Sequence, residues 1–138
     1  MANMKLNYVL VCDYIVVDKT NKVSLINIFN IIHASNFPAV HPRFSIATNT
    51  IGEISTHTQK IEVVNLRNDK IIAKVENNFE IKEGGGNNFI GNFFNAVFDN
   101  EGKYWIKITI DENVYTNKDE HFILLRKRDT TEPALIAQ

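Results

Sequence analysis

The chain has a single cysteine, Cys12, so no disulfide can form within it, and a reducing, cytoplasmic setting is the expectation. Neither sign of charge is in excess: 15 basic against 16 acidic residues leave a formal net charge of -1. Nucleic-acid binders usually show a basic surplus or a clustered stripe. The one dense basic run, Arg126-Lys127-Arg128, reads as a solvated strand end, so nucleic acid is not an expected partner. Long apolar runs are missing as well. No stretch approaches the ~18 uninterrupted apolar residues of a membrane helix. Val9-Leu10-Val11-Cys12 superficially resembles a lipoprotein cleavage site, but Val11 stands where a small residue belongs. Asn7 also cuts the apolar run short of the ~7–15 residues of a signal core, and no membrane contact is expected. Helical periodicity never extends beyond about one or two turns, and no internal repeat is present.

Signatures of chemistry are equally scarce. His33, His41, His57 and His121 share no metal-ligand spacing and read as surface or loop histidines. Asp99, Glu101, Asp111, Glu112, Asp119 and Glu120 fall in turns without the ligand alternation of a calcium loop. Gly84-Gly85-Gly86 lacks the following Lys-Ser/Thr and the helix of a phosphate cradle. Cys12 lies mid-strand among apolar neighbours, a poor setting for a nucleophile. With no nucleophile, base and orienting group in view, the expectation is a non-enzymatic protein that needs no cofactor and no metal.

What is present is β patterning. The 138 residues, 44% hydrophobic and 22% charged, suit one globular domain. That domain is placed at residues 1–128, with a flexible tail at 129–138. Lys5–Asp18 and Val23–Ile32 read as a hairpin, followed by a loop over His33–Pro42. Strands are then expected at Arg43–Thr50, Thr56–Leu66, Ile71–Ile81, Phe89–Phe98, Lys103–Ile110, Val114-Tyr115 and His121–Arg126. Tyr104, Ile106, Ile108 and Ile110 alternate with polar residues, which turns Trp105 to the opposite face and leaves it partly exposed. Asn100-x-Gly102-x-Tyr104-x-Ile106 resembles the tyrosine corner of Greek-key sandwiches. The expected fold is an all-β, two-sheet antiparallel sandwich of immunoglobulin-like type, with a C2-like sandwich or small barrel as the alternative.

Two surfaces stand out. Both faces of the first hairpin are apolar, whereas an antiparallel sandwich strand normally has one solvated face. Leu6, Tyr8, Leu10, Cys12, Tyr14 and Val16 are taken as one side, and Val9, Val11, Ile15, Val17, Ile26 and Ile28 as a surplus side and candidate interface. Its cover is either the chain's own loops or a strand crossing between the sheets, or else another subunit or protein partner. The second surface is the loop Phe37-Pro38-Ala39-Val40-His41-Pro42-Arg43, in which Phe37, His41 and Arg43 form a candidate ligand loop suited to an anion. A stiff connector between sheets is the plainer account of that loop.

Tyr8-Val9-Leu10-Val11-Cys12-Asp13-Tyr14, Lys22-Val23-Ser24-Leu25-Ile26-Asn27-Ile28-Phe29-Asn30 and Phe37-Pro38-Ala39-Val40-His41-Pro42 resemble a family of uncharacterised small bacterial proteins. Its members open with a Cys-Asp-Tyr-like strand, a Gly-Lys-x-Ser-Leu-Ile-Gly-x-Phe-Asp-like strand and a Phe-Pro-Ala-x-His-Pro-like loop. The likeness covers roughly the first third of the chain. This chain departs from it at Asn21 and Asn27, where the family has Gly, and at Asn30, where it has Asp. The resemblance implies a bacterial or phage source and carries no activity. The functional expectation is an interaction or assembly module, self-associating through the first hairpin. A small-ligand or cation binder using loops at one end is the alternative.

Overall fold

The computed structural model describes residues 4–128, so the tail expected at 129–138 lies outside the described residues. Ten strands follow one another: β1 (Lys5–Val17), β2 (Val23–Ile28), β3 (Ile31–Ala34), β4 (Ala39–Ile51), β5 (Ser55–Asn65), β6 (Lys70–Ile81), β7 (Gly86–Phe98), β8 (Gly102–Ile110), β9 (Asn113–Val114) and β10 (Phe122–Lys127). No helix occurs among the described residues. The first sheet has the order β2-β1-β4-β7 and the second β3-β10-β8-β5-β6, with β9 added to the end of β8. The protein is an all-β sandwich.

The core lies between the two sheets. Ile61 and Val63 on β5 and Ile106, Ile108 and Ile110 on β8 come from the centre of the second sheet. They meet Val11, Phe44, Ile46, Phe89 and Phe93 from the first. Each aliphatic side chain buried here contributes about 1.5–3 kcal/mol relative to exposure. Gln59 Nε2 donates to Thr48 Oγ1 at 2.9 Å between the sheets, with both side chains fully buried. The tie expected from the Asn100-x-Gly102-x-Tyr104 pattern is present. The buried Tyr104 hydroxyl donates to the Asn100 carbonyl at 2.7 Å and accepts from its amide at 3.1 Å.

Left-handed backbone decides several local features. Asn21 (φ 64°) in the β1–β2 turn and Asn27 (φ 57°) within β2 are both left-handed. Asn tolerates this region better than most other residues with a Cβ, so both backbones are accommodated without glycine. Asp18 supports the same turn, its Oδ1 accepting from the Thr20 amide (2.7 Å), the Thr20 hydroxyl (2.7 Å) and the Lys22 amide (3.0 Å).

The segment Val23–Ile32, expected as one strand, is in fact two. After Ile28 the chain leaves the first sheet, and Ile31–Ala34 pairs parallel to β10 in the second. The expected loop His33–Pro42 is also largely strand, since β3 reaches Ala34 and β4 begins at Ala39. Pro42 fits inside β4 because the β1 pairing ends at Cys12↔Ser45, which leaves that side of β4 open.

Across from Pro42 sits Asn95 on β7, with φ 54°. Inward positions run Phe89, Gly91, Phe93 before it and Ala96, Phe98 after it. β4 changes phase at the same place, with Pro42 and Arg43 both exposed. Because both strands slip together, the register stays constant from Ala39↔Phe98 to Ile51↔Gly86.

Candidate functional site

The first hairpin projects past the sandwich. β1 leaves β4 at Cys12 and continues paired with β2 alone, and no residue of Asp13–Ile28 is buried. The register pairs Cys12 with Ile28, Tyr14 with Ile26 and Ile15 with Leu25. Directly opposed residues share a face, so Ile26 and Ile28 lie with Cys12 and Tyr14, away from Val9 and Val11.

This corrects the expected interface. Val11 is 4% exposed and belongs to the core, with Val9 packed against it, so neither belongs to an outer contact surface. A bulge between Leu6 and Tyr8 moves Leu6 to the inner side too. Ile15 and Val17 face the inner side of the projecting arm, Ile15 half-buried and Val17 exposed. Of the six residues proposed, only Ile26 and Ile28 lie on the outer face of the first sheet.

That outer face is the dominant apolar surface. Ile28 (58%), Phe94 (63%), Val16 (49%) and Tyr14 (43%) are exposed on it, with the Arg43 guanidinium between two of them. Its carbon stands 5.7 Å from the ring centroids of both Tyr14 and Phe94, one from β1 and one from β7. Arg43 thus bridges two aromatic rings in a cation–π arrangement. Val40 and Val97, paired with each other beyond the phase slip, extend the apolar area. Towards the other end the face turns polar, with Lys5, opposite Ile51, at its margin. Asn88 Oδ1 accepts from the Tyr8 hydroxyl (3.1 Å) and Asn49 Nδ2 (2.7 Å), and the Ser45 hydroxyl donates to Asn92 Oδ1 (2.6 Å). Cys12, Ser45 and Ala47 form its floor, sheltered among larger neighbours. Burial pushes the Cys12 thiol up, which suits an inert role.

The second sheet presents a different outer surface. Lys60 and Glu62 pair at 3.9 Å, and Glu62 stands opposite Lys74 and Lys107 in the ladders. Trp105 is half-buried, as its alternation with Tyr104 implies, beneath the Lys107 and Lys118 ammonium groups at 5.5 and 5.3 Å from its ring centroid.

Phe37, His41 and Arg43 do not converge. Phe37 packs against the core. His41 lies between Phe29 (6.0 Å) and Phe44 (5.9 Å), where desolvation lowers its pKa against the opposing pull of Asp13. Arg43 is on the outer face. The groove that His41 does line, of about 380 Å³, includes Asp13 and His33 but neither Phe37 nor Arg43.

One feature went unseen in the sequence. His57, expected at the surface, is 3% exposed. Its Nδ1 lies 2.5 Å from Asp111 Oδ2 and its Nε2 2.8 Å from the Glu53 carbonyl oxygen. Both partners accept only, so the ring is fully bonded as the imidazolium. Burial works against that charge, yet Asp111 and the Glu53 carbonyl outweigh it and raise the pKa. Asp111 shifts the opposite way: burial resists, but His57 and the Thr58 amide lower its pKa. The pair ties β5 to the β8–β9 turn. No group of three or more His, Cys, Asp or Glu among the described residues is placed to hold a metal.

Fold and surface together define a two-sheet β-sandwich with one charged outer face and one nearly uncharged, aromatic outer face. A family model described as a family of unknown function (DUF6941) matches residues 7–119, and the chain belongs to that family. No curated protein and no solved structure matches the chain.

Proposed function

We propose that the protein is a non-enzymatic assembly module that self-associates through the outer face of its first sheet. The observation that carries this reading is the exposure of Tyr14, Val16, Ile28 and Phe94 on one face whose central charge, Arg43, is already engaged by two rings. Water is a poor neighbour for so contiguous an apolar area, and its cover by protein is favourable at about 25 cal/mol per Å² before association costs. Two copies stacked face to face about an axis in the sheet plane would bury it symmetrically. We also read the sandwich as immunoglobulin-like, supported by the Tyr104 tie and by β3 running parallel to β10.

Light scattering over a concentration series tests the reading. The wild-type mass should exceed the 15.8 kDa of one chain, and Ile28→Asp should lower it while leaving the circular dichroism spectrum unchanged. A wild type that stays monomeric, or an Ile28→Asp mass equal to wild type, overturns it.

A further inference from the structure

Among the described residues, β2, β7, β3 and β6 end the two sheet orders, and all but β7 are guarded. β2 and β3 have only 6 and 4 residues. β6 is long but carries Lys70, Lys74, Glu76 and Glu80. Short length and charge are the usual devices against strand-to-strand joining. β7 has neither: its 13 residues, Gly86–Phe98, include no charged residue and no proline. Among the described residues its backbone hydrogen bonds run to β4 alone. β6 approaches from the other sheet, where Val75 lies against Gly91, but it forms no ladder with β7.

We propose that a second copy of this chain docks on that edge, β7 against β7, antiparallel, about a two-fold axis normal to the sheet at Asn92. The inner side chains Phe89 and Phe93 are already committed to the core, so the outward ones set the register. With the axis at Asn92, Phe94 stands opposite Ile90 of the second copy, and Ile90 opposite Phe94 of the second copy. Aromatic and β-branched side chains make favourable cross-strand pairs. Asn92 meets its own counterpart, an uncharged contact. An axis at Gly91 would instead set Ile90 against asparagine. The left-handed Asn95 and its phase slip end the compatible run just past Phe94. The segment is therefore self-complementary, as a two-fold contact requires.

This edge contact deepens the assembly reading by naming a second interface distinct from the outer face. It joins two first sheets side by side into one continuous eight-stranded sheet, since each has 4 strands.

Asn92 is exposed but shares the outer face, its Oδ1 accepting from the Ser45 hydroxyl, so its charge variants are compared in the Ile28→Asp background, which removes the face contact. Asn92→Lys and Asn92→Asp should each weaken the edge pair roughly tenfold or more, because like charges then oppose at the axis. Mixing the two variants should restore it. Residues directly opposed in an antiparallel pair have Cα atoms about 4.5–5.5 Å apart, inside the range of a disulfide. Asn92→Cys should therefore cross-link to its copy under mild oxidation, and Asn77→Cys on β6 should not. Face-to-face sheets lie about 10 Å apart, too far for that bond. Cross-linking at residue 92 in an Ile28→Asp background supports the edge contact whatever becomes of the outer face. A lower mass for Ile28→Asp without cross-linking at 92 leaves the face and removes the edge. A wild type that is monomeric at all concentrations also removes it, as does recovery of no dimer on mixing the charge variants.

Discussion

Tyr104→Phe isolates one hydroxyl. The ring keeps its place against Phe98, 4.9 Å away edge-on, so packing is conserved and only the oxygen is lost. That oxygen serves two backbone groups of Asn100, donating at 2.7 Å and accepting at 3.1 Å. The side chain is fully buried, so water does not take over on the hydroxyl's side. A typical intramolecular hydrogen bond contributes about 0.5–1.5 kcal/mol net, which sets the loss for two at about 1–3 kcal/mol. Urea unfolding followed by fluorescence measures it. The midpoint should fall while the slope stays constant, since the exposed area on unfolding is the same. A loss below about 0.5 kcal/mol would show that Asn100 is satisfied without the hydroxyl, and the argued role of this corner in holding the β7–β8 connection would be wrong.

Val11→Asp and Ile28→Asp should separate, though both lie in the first hairpin. The first places an unpaired carboxylate in the core and should abolish folding or cost several kcal/mol, whereas the second should change monomer stability by no more than about 0.5 kcal/mol, both read by thermal melting. Gly91→Ala would set a Cβ 2.8 Å from Val75 Cγ1 and 3.3 Å from Ile61 Cδ1, an overpacking expected to cost about 1–3 kcal/mol in the same urea assay. The His57–Asp111 pair gives a pH signature. His57, with its pKa raised, contributes fully below its unfolded value of about 6.5 and loses that contribution as pH rises through the folded one. Asp111, with its pKa lowered, contributes fully above about 3.9 and loses it as pH falls through its folded value. The stability difference between wild type and His57→Gln should therefore be largest between roughly pH 4 and 6.5 and shrink on both sides, as melting temperatures across pH would record.

The alternation of Tyr104, Ile106, Ile108 and Ile110 was legible because one face of β8 is apolar and the other polar, and all four are buried. The first hairpin was legible as a hairpin, but not which side faced inward. Parity is informative only when the two faces differ, and here both are apolar. A bulge near Asn7 further shifts the phase, and nothing in its side chain announces it. Ile26 and Ile28 are read as interface residues from the sequence, but the meeting of Tyr14, Arg43 and Phe94 is not, because the order β2-β1-β4-β7 brings them together from positions 29 and 51 apart. His57 and Asp111, 54 positions apart, were hidden for the same reason.

The paired slip at Pro42 and Asn95 couples two distant points of the chain. Deleting either residue by itself would turn His41 and Ala39, or Ala96 and Phe98, inside out while the neighbouring strand kept its orientation. Chains built on this sheet can gain or lose a residue at one of these positions only if the other changes in the same step, so length variation here should come in matched pairs.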